Sequence, residues 1–309
     1  MKPNSVARVW SRICNCRLES RSCRDVLAEF LGTLILTLIG DSVLASLTAS
    51  RLGYFGIAAG PLGWGLAVYL GIIVAGGVSG GHLNPAVTLG LASAGKFKWA
   101  KVLPYIAAQY LGAFAAAGLI FLLYQDALYK VDGGMRVVYG PNATASVFSC
   151  FPAPEVRTLT CLLDQVVSTA VLLVSICAIV DPKNMAVLKG HQPLLIGFAV
   201  AACMYAFSYN CGNPLNPARD LAPRIFTAMA GWGCDVFSIR GYNWFWVPVV
   251  GPHVGGVVGV WVYKFAVENH WATDAAAVVG KTPEEEHDYE GKRRLLRQDT
   301  HYIEADIAS

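Results

Sequence analysis

The tetrapeptide Leu-Asn-Pro-Ala occurs twice, at residues 83–86 and 215–218, so Asn84 and Asn216 lie 132 positions apart (216 − 84). Each copy opens an apolar stretch, ending near Ala94 in the first case and near Gly231 in the second. Both stretches are too short to cross a bilayer, which takes about 20 mostly apolar residues in a helix. Six other segments reach that length: 25–47, 57–77, 102–124, 158–180, 194–209 with its flanks, and 244–267. Only 15% of the chain is charged, where a soluble domain has about 25%. The expected fold is therefore an all-α membrane protein with six transmembrane helices and two re-entrant half-helices. Glycine and alanine are frequent in the spans, as in 112–118, and small residues let helix backbones approach closely in lipid.

Loop charges orient such a bundle. With both termini inside, the inner side carries 17 Lys and Arg and the outer side seven, which places both termini in the cytoplasm. The sequon at Asn142 then falls outside, where glycosylation is expected. Residues 1–24 form a basic cytosolic tail with no apolar run, so no cleaved signal peptide is expected. Residues 271–309 carry a Glu284–Glu286 cluster and a Lys292–Arg294 cluster with no apolar period, and read as a disordered cytosolic tail. The nine cysteines have no metal-ligand spacing. Cys14, Cys16 and Cys23, near the first span, are either palmitoylation sites or free thiols. The net charge of +3 gives no reason to expect a nucleic-acid partner, and no cofactor or metal is expected.

The two motifs anchor an internal duplication. Glu29 opens the first half (about 25–124) and Gln165 opens the second (about 158–270), at nearly the motif's own offset (165 − 29 = 136). Each half holds three spans and one half-helix. Three is odd, so the halves are inverted, and their half-helices enter from opposite faces to meet near the midplane. Asparagine is among the best helix N-caps and proline suits the first helical position, so Asn84-Pro85-Ala86 and Asn216-Pro217-Ala218 each start a helix. With its oxygen so engaged, each amide NH₂ can face a passage. Two helix N-termini, each with roughly half a positive charge, make a waist that accepts hydroxyls and opposes cations. Glu29 and Gln165 are expected to hold the non-helical backbone leading into each half-helix, because such backbone must be satisfied inside lipid.

With these motifs the chain from about residue 25 to 270 resembles the major intrinsic proteins, or aquaporins. The resemblance implies a homotetramer with one pore per subunit. Within the family it is most similar to the aquaglyceroporin branch: Asp220 follows Asn-Pro-Ala-Arg, Arg224 lies four positions later, Pro248-Val249 stands in the last span, and Phe151 precedes the fourth. The resemblance also assigns a selectivity filter to Trp64, Met204, Asn213 and Arg219. Trp64 lies 20 positions before Asn84 (84 − 64), as in glycerol facilitators of the family, though position alone equally fits an interfacial Trp. A charged arginine inside a membrane is costly to keep idle. Met204 and Asn213 depart from the family's usual residues: Met204 is expected to narrow the constriction and Asn213 to make it more polar. His82 reads as a pore-side or loop contact rather than a metal ligand, and Cys211, near the second motif, as the candidate for mercurial block.

The function expected from these residues is that of a passive plasma-membrane channel for water, glycerol and other small neutral solutes, with urea a further candidate. The alternative is a strict water channel whose Met204 and Asn213 exclude polyols. An enzyme is not expected: the chain has no glycine-rich phosphate loop and no HExxH.

Overall fold

A computed structural model describes residues 18–51, 56 and 58–271. The expectations for Cys14, Cys16 and the C-terminal tail lie outside the described residues, apart from Trp271. The described residues up to 264 form one unit; the described part of the second holds only the end of the last helix and a short 3-10 turn, Glu268–His270.

The described residues contain helices and no strand. In chain order these are α1 Arg21–Ala49, α2 Ala59–Ser79, the short α3 Pro85–Ser93, α4 Val102–Asp132, α5 Thr158–Val180, α6 Gln192–Cys211, the short α7 Pro217–Thr227, α8 Asp235–Tyr242 and α9 Val247–Ala266. Five of them (α1, α2, α4, α5, α6) are long and apolar enough to cross a membrane, and α9, joined to α8 through a 75° bend, makes a sixth. Two ends differ from the sequence expectation. Helix α1 starts at Arg21 because Ser20 caps it, accepting from the Cys23 N–H. Helix α4 runs eight residues beyond Tyr124 to Asp132, where the apolar window has ended but helix propensity has not.

The bundle surface is what lipid would solvate. On α4, Leu111, Leu122 and Leu123 are 63%, 64% and 70% exposed, a pattern no water-facing helix favours. Inside, the helices meet through glycines. A Cβ on Gly65 of α2 would lie 2.6 Å from the Gly197 carbonyl oxygen of α6, and the converse distance is the same. Gly90 of α3 and Gly256 of α9 form a second close approach, where an added Cβ would lie 2.7 Å from Gly256 O and 2.6 Å from Ala86 O respectively. These contacts let backbones touch where lipid supplies no hydrophobic drive, and they bring α3 into the bundle interior.

Candidate functional site

Both Asn-Pro-Ala segments start helices by the same local device. The Asn84 oxygen accepts from the Ala86 N–H at 2.8 Å, and the Asn216 oxygen accepts from Ala218 and Arg219 at 3.0 and 3.4 Å. Pro85 and Pro217 occupy the first helical position, where no hydrogen bond is lost. Leu83 and Leu215, the residues just before, both have left-handed backbone, with φ of 51° and 55°. That conformation is rare for leucine and is held only where surroundings over-determine it. Here it accompanies carbonyls that meet the opposite loop: Asn84 Nδ2 donates to Leu215 O at 3.0 Å, and Asn216 Nδ2 donates to Leu83 O at 2.8 Å. One N–H of each amide is thus spent on the other half of the molecule, and only the second is left to face the passage.

The loops leading into these helices are anchored to α1 and α5. Glu29, fully buried, accepts from Ser79 Oγ, the His82 and Leu83 N–H groups and Gln109 Nε2, at 2.6 to 2.9 Å. Gln165, equally buried, accepts from the Leu215 N–H at 3.2 Å and donates to Asn213 Oδ1 at 3.1 Å. His82 Nδ1 meets Thr88 Oγ1 at 3.1 Å, and its ring packs against Phe97 and Tyr105, so it serves the loop.

A cavity of about 260 Å³ is bordered by both asparagines together with Trp64, Met204, Asn213, Arg219 and His82. Arg219 is 4% exposed, and its guanidinium carbon lies 4.1 Å from the Trp64 ring centroid, within cation–π range. Nη1 donates to Cys150 Sγ at 3.0 Å and Nη2 to Asp41 Oδ1 at 3.2 Å. Burial pushes the Cys150 thiol up to about 12, so its sulfur accepts from arginine as the neutral thiol.

Asn213 borders the cavity. Its oxygen accepts from Gln165 and Ser168, and its Nδ2 donates to Cys203 O at 3.0 Å, so three wall contacts hold the amide and one of its N–H groups is left. Its backbone explains the residue type. Asn213 has φ +50° and stands where Gly81, φ +64°, stands in the first loop, each three residues before the capping asparagine. Asparagine tolerates that conformation better than most side chains.

Three of the four glycerol-branch markers converge near Arg219. Asp220 and Arg224, both fully buried, pair at 2.8 Å; Asp220 Oδ2 accepts from the Cys150 N–H, and Arg224 donates to Cys150 O and Val236 O. Arg224 also lies over the Phe151 ring at 4.8 Å. Together they fasten the loop that carries Cys150. Pro248 and Val249 start α9 and do not border the cavity. Cys211 is also absent from the lining; its Sγ meets Gln165 Nε2 and Asp164.

Residues 17–263 match the model of the family described as Major intrinsic protein. The chain belongs to the major intrinsic protein family. Aquaporin-9 of Homo sapiens is 43% identical over 253 residues, 82% of this chain and 85% of that protein. Aquaporin-3 of Milnesium tardigradum is 40% identical over 302 residues, 95% of this chain and 92% of that one. An X-ray structure of the aquaglyceroporin from Plasmodium falciparum superposes with a TM-score of 0.70 at 31% identity, covering 79% of this chain and 96% of that one.

In this major intrinsic protein two site residues escape a reading of the sequence, Asp41 and Cys150. Both touch Arg219 from far away in sequence, 178 and 69 positions respectively. For Asp41 one signal exists: an acid in the middle of an apolar span needs a partner.

Proposed function

We propose that the protein is a passive channel that conducts water and glycerol through the cavity between its two half-helices. The observation that carries this reading is the pairing of two chemically different surfaces along one passage. Asn84, Asn216 and Arg219 supply N–H donors, while Trp64, Met204 and Leu36 supply apolar wall. A polyol presents the same two faces, hydroxyls on one side and carbons on the other. Water needs only the donors. The waist lies between the N-termini of α3 and α7, whose dipoles favour hydroxyl oxygens and oppose cations. Glycerol conduction is favoured over a strict water channel because three wall contacts hold the Asn213 amide in place and Met204 is flexible enough to yield.

The deciding experiment is stopped-flow light scattering on proteoliposomes, with sucrose and then glycerol as the osmolyte. Fast shrinkage in both, followed by fast re-swelling only in glycerol, is the expected result. Shrinkage without re-swelling would replace the reading with a water channel. Flux proportional to the gradient separates a channel from a coupled transporter.

The same reading extends to the setting. It takes the subunit to be one of four in a homotetramer and the location to be the plasma membrane with both termini cytoplasmic. The 17-to-7 bias in loop charge supports that orientation, and urea joins the solutes on size and neutrality. Asn142, exposed in a turn, is the proposed glycan site. Thr144 of its sequon is buried, donating to Asp132 at 2.6 Å and accepting from Trp232 at 3.0 Å. Glycan addition therefore has to precede closure of this loop. A mobility shift on endoglycosidase treatment, absent in N142Q, tests it. Glu29 and Gln165 are proposed as loop supports, and catalysis forms no part of the reading.

A further inference from the structure

Asp41 sits in the middle of α1, fully buried, and is not among the residues bordering the cavity. It is 12 residues from Glu29 (41 − 29), about 18 Å along the helix axis, so α1 reaches the first loop at one level and Arg219 at another. The nearest other carboxylate, Asp220, stands 3.9 Å from Arg219 Nη1 and is already occupied. Its Oδ1 takes Nε and Nη2 of Arg224, and its Oδ2 takes the Cys150 N–H. Among the described residues, Asp41 is therefore the carboxylate left to Arg219, at 3.2 Å. Its neighbour Gly40 lies against the Trp64 ring, which any Cβ there would overlap. Two consecutive residues of α1 thus back the two members of the Trp64–Arg219 stack, one by leaving room and the other by accepting a hydrogen bond.

We propose that Asp41 is the positioning residue of the filter: its acceptor oxygen holds the Arg219 guanidinium over Trp64 at the wall of the passage, and this sets the clearance a polyol needs. The inference rests on the channel reading above. Cys150 restrains one tip of the guanidinium and Asp41 the other, so without Asp41 the group can pivot about Nη1 into the cavity it borders. Water passes a partly blocked filter far more easily than glycerol, so the consequence is a change in selectivity rather than a uniform loss.

The test is the ratio of glycerol to water permeability in proteoliposomes, normalised to reconstituted protein. Asp41→Ala is expected to lower the ratio at least about fivefold, as loss of a hydrogen bond to a charged group allows. Asp41→Asn keeps an acceptor oxygen in the same place and is expected to hold the ratio within about twofold. Leaving one buried charge unpartnered can prevent folding, so Arg219→Ala is also compared with the D41A/R219A double variant, in which neither charge remains. These two are expected to share one ratio, because Asp41 acts only through Arg219. An unchanged ratio in D41A, an equal fractional loss of water and glycerol in D41A, or a difference above about twofold between R219A and the double variant would each overturn the proposal. Wild-type protein that passed no glycerol would instead remove the channel reading, so the two failures are distinct.

Discussion

In the first re-entrant loop a single carboxylate, Glu29, collects four hydrogen bonds, two of them from backbone N–H groups. In the second, the equivalent Gln165 accepts one backbone N–H and passes its other contacts to side chains, chiefly Asn213. The loops are matched in backbone, with left-handed leucines before both asparagines, yet one is supported by a carboxylate and the other by a neutral amide. The reason lies in what each loop already holds. The first has no ionic partner in its half-helix. The second carries Arg219 and Arg224, balanced by Asp41 and Asp220, all buried. Another buried carboxylate at position 165 would disturb that balance, whereas a neutral amide supplies direction without charge. Duplicated topology can therefore be kept while the chemistry that stabilises each copy diverges.

The sharpest way to break the symmetry is at its charged end. Glu29→Ala would orphan four donors at once, a cost on the order of 4 kcal/mol or more, and most of the protein is expected to be lost from the membrane fraction. Gln165→Ala removes fewer bonds and is expected to lower stability by roughly 2 kcal/mol, read as a fall in thermal midpoint in detergent with assembly retained. Equal effects from the two variants would mean that the loops are not supported differently after all.

Asn213 probes the backbone half of the comparison. Asn213→Gly keeps the left-handed conformation and loses only the side-chain bonds, whereas Asn213→Ala loses both. The alanine variant is expected to be less stable than the glycine variant by about 1 kcal/mol, and Asn213→Gly to leave the glycerol-to-water ratio near its original value. A large rise or fall in that ratio would return Asn213 to the filter. The smallest effect is expected at Cys150→Ser, whose hydroxyl still accepts from Arg219 and should preserve glycerol flux within about twofold. Because burial raises the Cys150 thiol to about 12, thiolate is scarce near neutrality. Alkylation by iodoacetamide should be slow at pH 7 and quicken as the pH is raised into the alkaline range, which mass spectrometry of the labelled peptide would follow.

The spans, the two short helices and their caps are legible in the sequence because each is a local signal: apolar length, an Asn-Pro start, a matching offset between halves. The cavity lining is legible only in part. Trp64 and Arg219 are found by their distances from the motifs, and both border the cavity. The partners of Asn213 are not legible, because residue type says nothing about direction: its backbone has a positive φ and three contacts in the wall engage its amide. Asp41 goes unread because one acid among many apolar residues barely alters a span's hydropathy, and its partner lies in the other half of the chain. The extension of α4 to Asp132 is missed because an apolar window marks the membrane and not the end of the helix.

The crossed hydrogen bonds between Asn84 and Leu215 and between Asn216 and Leu83 carry a mechanical consequence. Each half-helix is moored to the lip of the other, so neither can draw back without breaking both moorings in the same movement. Such an opening works like a rigid grommet rather than a valve. Any means of turning the flow up or down would then have to act elsewhere along the passage, leaving the diameter of this ring unaltered.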